Sequence, residues 1–200
     1  MDHVSSWMQA ALLPETWDVA GVACRSLTVW HAFVLAQTAN PYVMGEAPDR
    51  DAATALLLYC SRDHAAGRDL FLKPHYRRRA ARRVARAVRR AAWIDVDAAV
   101  CDYLSTCLRV PQHKAPPKST RPGEASVTRP VAAPVAYALI QFLSAGNPAG
   151  IEAAWNTPYA LARCLFDAHR DIEGKAETLE SLDEERRFDE WNAKQQEAAS

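Results

Sequence analysis

The chain has 200 residues, 49% of them hydrophobic, and its 24 Lys/Arg balance its 24 Asp/Glu to a formal net charge of zero. That size suits one domain, or one domain with an appendage, and the composition is ordinary for a folded soluble protein. Only seven glycines are present, which disfavours a β-sandwich or a Gly-rich nucleotide-binding loop and favours helices.

The charge is neutral in sum but segregated. Between Arg62 and Arg90 stand eleven Arg/Lys and two Asp; between Asp167 and Ser200 stand eleven Asp/Glu and five Arg/Lys. The five cysteines form no CxxC pair, so a disulfide framework is disfavoured and a reducing compartment expected. The N-terminus MDHVSSWMQA lacks the basic and apolar regions of a signal peptide. Apolar runs fall short of the ~18–20 residues that span a bilayer. The expected location is the cytoplasm.

In chain order, Ser26 is a plausible N-cap for SLTVWHAFVLAQTA, apolar almost all round and so expected to be a central, buried helix. Asn40-Pro41 ends it. A second helix is expected from near Pro48, with Asp49 and Asp51 at the positive end of its dipole and Ala53, Leu56, Leu57 and Cys60 on one face. Gly67 is expected to break the next short segment. Pro74 opens an arginine-rich helix, and Val96, Val100, Tyr103, Leu104, Cys107 and Leu108 stripe the one after Asp95.

Residues 110–134 hold six of the twelve prolines and few large apolar groups, which predicts a linker or loop. VAYALIQFLSAG then reads as a helix. Another starts at Pro158, with Leu161, Leu165 and Phe166 expected inward, and an acidic helix comes last, over ETLESLDEERRFDEWNAKQQEAAS. No strand of convincing alternation is evident. The expected fold is all-α: a small multi-helix bundle with a Pro-rich linker and a peripheral acidic C-terminal helix. Its divisions are a helical core over 1–109 that includes the arginine helix, the linker at 110–134, and a helical segment over 135–200.

The arginine helix carries the main functional signal. YRRRAARRVARAVRRAAW places eight arginines between Arg77 and Arg90, around an apolar stripe of Tyr76, Ala80, Val84, Ala87, Val88 and Ala91. Crowded guanidinium groups repel and call for an anionic partner. An acidic protein surface, the chain's own acidic tail, nucleic acid and plain solvent all answer that description. Arg78, Arg82, Arg86 and Arg89 are the candidate partner-binding residues, with Phe188 and Trp191, two aromatics on an otherwise polar helix. Cys60 and His64 stand at i, i+4, but nothing supplies further metal ligands at standard spacing. His31, in an apolar helix, reads as a hydrogen-bonded core histidine. No GxSxG, HExxH, P-loop or dinucleotide fingerprint is present, so neither an enzyme, a metal nor a cofactor is expected.

The run CRSLTVWHAFVLAQTANPYVMGEAPDRDAATALLLYCSRD, with its Leu-Thr, helix, Asn-Pro cadence, and the later WNTPYALARCLFDAHRDIEGK resemble tail assembly chaperones of tailed bacteriophages. The resemblance covers roughly residues 20–70 and 155–175. It implies a non-enzymatic morphogenesis protein of the host cytoplasm that binds the tape-measure protein before the tail tube polymerises. Self-association, a minor connector or tail component of the virion, and a nucleic-acid-binding regulatory or packaging protein using Arg77–Arg90 are the other readings.

Overall fold

A computed structural model describes residues 10–109, 135–145 and 147–172. The Pro-rich segment and the acidic C-terminal segment with Phe188 and Trp191 lie outside the described residues. Those described are mostly helical, as expected, with one exception near the start. Thr16–Val19 (β1) and Val22–Arg25 (β2) pair antiparallel, Trp17 opposite Cys24 and Val19 opposite Val22. Ala20 and Gly21 turn between them with φ of 53° and 78°, the left-handed pair that a tight two-residue hairpin demands. Asp18 Oδ1 accepts from the Gly21 amide at 2.8 Å. Strands of four residues are too short to display a period of two, so the sequence pattern concealed them. Val19, Val22 and Cys24 face the core, where burial pushes the Cys24 thiol up to about 12.

Helix α1 (Val29–Gln37) is capped by Thr28 rather than Ser26. The Ser26 hydroxyl is otherwise engaged: it donates to the Pro14 carbonyl and accepts from Trp17 Nε1 at 3.1 Å. Thr28 Oγ1 accepts from the His31 amide at 3.4 Å, and His31 Nδ1 accepts from the Thr28 amide at 3.0 Å. A histidine thus fills the place that Glu or Gln usually takes in a capping box. Its Nε2–H donates to the Arg62 carbonyl at 2.6 Å, so this fully buried ring holds its proton on Nε2.

Asn40 caps the short α2 (Pro41–Met44) and Asp49 caps α3 (Arg50–Cys60). In α3, Ala53, Leu56, Leu57 and Cys60 are buried as their spacing predicts. Leu58 and Tyr59 are buried too, so the helix is covered on nearly every side. Next come α4 (His64–Leu72), α5 (Pro74–Arg90) and α6 (Trp93–Cys107). The α6 stripe from Val96 to Cys107 is buried, whereas Leu108, just past the helix, is 37% exposed. Helices α7 (Val135–Leu143), α8 (Ile151–Asn156) and α9 (Tyr159–Ile172) complete the described chain. Ala136, Leu139, Ile140, Ala154, Trp155 and Ala162 join the same buried cluster as the helices before residue 110. The junction is also hydrogen-bonded: the Val29 amide donates to the Thr157 carbonyl at 3.0 Å, and the Tyr159 amide to that of Leu27 at 2.8 Å.

Two expectations are corrected. Leu165 is 45% exposed, because α9 is held on two faces by small residues: Ala160 and Cys164 against Ala10, Ala162 against the main core. Leu165 falls in the gap between those faces. Gly67 does not break a segment either; it lies buried inside α4. A Cβ there would stand 2.3 Å from Trp30 Nε1. The Trp30 ring is itself wedged against Phe33, His64, Phe71 and Trp155, with centroids at 4.9–6.3 Å. The glycine is therefore there for close approach.

This packing has two measurable consequences. In an exposed helix Gly→Ala gains about 1 kcal/mol. Here the indole cannot retreat, so Gly67→Ala should instead destabilise by about 1–2 kcal/mol in urea unfolding, overpacking outweighing propensity. An unchanged or raised midpoint would refute the wedge. Burial holds the His31 pKa down to about 4 from the ordinary 6.5. Between those values the unfolded chain binds the extra proton, so the contribution is complete above about pH 6.5 and fades as pH falls towards 4. The loss is on the order of 3 kcal/mol. Unfolding midpoints at pH 7 and pH 4.5 should separate less in His31→Gln than in the unmodified protein.

Candidate functional site on the arginine helix

The sequence of α5 favours a helix strongly. Pro74 occupies the first turn, and alanine and arginine, both good helix formers, dominate the turns after it. Ala80, Val84 and Val88 are buried, with Ala81, Ala87 and Ala91 half-buried beside them, and this small-residue stripe packs against α3. All eight arginines are exposed. At ~100° per residue, Arg78, Arg79, Arg82, Arg83, Arg86, Arg89 and Arg90 fall within an arc of roughly 140° opposite the stripe. Only Arg77 lies toward the buried side. The arginines therefore do not fill several faces; seven of them form one ridge.

The electrostatics of that ridge are unfavourable without an anion. Neighbours at i, i+3 and i, i+4 sit close enough to repel. None of the eight forms an ion pair among the described residues; the nearest pair in sequence, Lys73 Nζ to Asp69 Oδ2 at 2.8 Å, precedes the ridge. Arg89 and Arg90 suit the negative end of the helix dipole, but Arg77, Arg78 and Arg79 crowd its positive end, where Lys73 provides no side-chain cap.

The ridge is held from behind by another arginine. Arg50 of α3 reaches the C-terminus of α5: Nη1 donates to the Val88 carbonyl at 2.6 Å, and Nη1 and Nη2 reach the Ala91 carbonyl at 3.4 and 3.3 Å. Its guanidinium carbon sits 5.8 Å from the Trp93 ring centroid. A cation on the last carbonyls satisfies orphan acceptors and the dipole together.

Two clefts flank the N-terminal half of α5. One, of about 280 Å³, is lined by Leu70, Phe71, Pro74, Arg77 and Arg78. The other, of about 180 Å³, is lined by Arg62, Tyr76, Arg79, Ala80 and Arg83. Tyr76, expected in the apolar stripe, is 37% exposed, and the Arg62 guanidinium carbon lies 6.0 Å from its ring centroid.

Arg78, Arg82, Arg86 and Arg89 thus share one exposed arc, while Phe188 and Trp191 lie outside the described residues. Cys60 and His64 have separate surroundings. Burial holds the Cys60 thiol well above its ordinary range, whereas His64 stacks on Trp155 and its Nδ1 is 2.6 Å from Glu152 Oε2. No group of three His, Cys, Asp or Glu suited to a metal occurs among the described residues. Sequence reasoning missed Arg50 and Arg62, whose roles depend on tertiary contact. It also missed the Tyr76, Arg79 and Arg83 edge, which the i, i+3, i+7 spacing carried.

Arg50→Gln should destabilise the protein by about 1–3 kcal/mol, since charged hydrogen bonds to buried-end carbonyls are lost. Amide exchange should quicken first in the last turn of α5; protection falling evenly along the whole helix would count against the cap. No protein-family model matches this chain, and neither a curated protein nor a solved structure matches it.

Proposed function

We propose that the protein is a non-enzymatic binding protein whose working surface is the arginine ridge of α5, docking an acidic protein surface. The supporting observation is the ridge itself: seven exposed guanidinium groups in one arc on a packed helix capped by Arg50, none of them in an ion pair with another described residue. Like charges crowded on a packed helix repel, and an anionic partner relieves that repulsion. A partner protein is preferred to nucleic acid because the chain as a whole has no net positive charge to drive polyanion binding. The resemblance to tail assembly chaperones supplies the client class: a tape-measure protein in the host cytoplasm, held before tail assembly. No helix among the described residues is long and apolar enough to cross a membrane.

The second reading is nucleic-acid binding, favoured by the same ridge, since arginine engages phosphate as readily as carboxylate. One variant separates the two. Arg78, Arg82, Arg86 and Arg89 are exposed, and Gln has a similar helix propensity, so the fourfold Arg→Gln chain should fold normally. Co-expressed with the tape-measure protein of its own genome, the unmodified chain should copurify with it and the variant should not. Equal recovery with both chains would sink the proposal. A salt-sensitive gel shift at low ionic strength that disappears in the variant, without any client complex, would transfer the ridge to nucleic acid.

A further inference from the structure

We propose that the cleft between Arg62 and the inner edge of α5 is a binding site for a phosphate monoester. The site shares Arg79 and Arg83 with one edge of the ridge and adds Arg62 and Tyr76; Arg78, Arg82, Arg86 and Arg89 do not line it.

Arg62, Arg79 and Arg83 all line this one cleft, and among the described residues no carboxylate lines it. The acidic groups closest in sequence are committed elsewhere. Asp63 Oδ1 accepts from the Ala66 amide at 2.8 Å as the cap of α4, and Asp69 pairs with Lys73. Arg62 Nε–H is buried and has no acceptor among the described residues. The Arg62 backbone is fixed, its carbonyl accepting from His31 Nε2 in the core, and its guanidinium is steadied over the Tyr76 ring. The site thus has one arginine held in place and, among the described residues, no carboxylate lining it.

The chemistry narrows the ligand. A carboxylate offers two oxygens and one charge, which leaves at least one of three guanidinium forks unmatched. A phosphate monoester brings three free oxygens and nearly two charges at neutral pH, which matches the donor set. At ~30 Å³ per water, a 180 Å³ cleft holds about six waters. That is room for the phosphoryl group and the first atoms of the group it esterifies. The Tyr76 ring supplies an apolar wall for those atoms. A phosphorylated aromatic side chain and a nucleotide share this chemistry.

The test is calorimetric titration of the full chain at constant ionic strength with phenyl phosphate, 5′-AMP and benzoate. Phenyl phosphate should bind saturably and at least ~10-fold more tightly than benzoate, as expected when one charged hydrogen-bonded group is left unmatched. Arg79→Gln/Arg83→Gln should weaken it at least ~10-fold with unchanged circular dichroism. Arg68→Gln/Arg109→Gln removes equal charge at residues that do not line the cleft and should have less than a ~2-fold effect. If AMP binds tighter than phenyl phosphate the source is a nucleotide, and if looser a phosphorylated aromatic side chain; both support the site. Equal affinity for benzoate, equal loss in the control pair, or no saturable binding would overturn it. No client enters this experiment, so its failure is distinguishable from failure of the client complex.

Discussion

The imidazole of His31 is bonded in two directions at once. Its Nδ1 receives the Thr28 amide that opens α1, and its Nε2–H reaches the Arg62 carbonyl in the turn between α3 and α4. The same Thr28 forms the bridge to Pro158 that joins the last two helices to the first. One neutral, desolvated ring therefore sets the start of α1, the direction of the chain leaving α3 and, through that turn, the seat of Arg62. From there α4 runs under Trp30, its Gly67 admitting the indole, and delivers the chain to Pro74. The position of the arginine helix is a downstream result of how this ring is satisfied.

Much of the architecture was legible because the helices bury aliphatic stripes. In α3 and α6 the i, i+3, i+4, i+7 rows became core, and Pro74 marked the start of α5. The failures share a physical origin, since each depended on a neighbour rather than on a pattern. Ser26 looked like a cap until Trp17 and Pro14 claimed its hydroxyl. Gly67 looked like a breaker because its contact, a tryptophan 37 residues away, leaves no mark in the local sequence. Leu165 looked inward because leucine usually is, but α9 approaches the bundle through alanine and cysteine. The hairpin was too short for its period to register.

The candidate site was half legible. The density of arginines marked α5 as the candidate surface for an anionic partner, and the four residues Arg78, Arg82, Arg86 and Arg89 do share a face. What the sequence hid was the division of labour around the helix. Ala80, Val84 and Val88 allow close packing on α3, which turns seven arginines to one side, while Arg62 meets Arg79 and Arg83 from another part of the chain. Such a division emerges only when a second element supplies the missing wall.

The two ends of the arginine helix are secured unequally. At its C-terminus the Arg50 fork grips the Val88 and Ala91 carbonyls. At its N-terminus no side chain caps the first turn, and three successive arginines face the positive pole of the dipole. The helix resembles a beam with a side-chain clamp at one end and none at the other. An anion arriving near Tyr76 and Arg79 would do more than occupy a surface. It would supply the missing clamp, so that occupancy at the free end is read along the whole beam as a gain in rigidity.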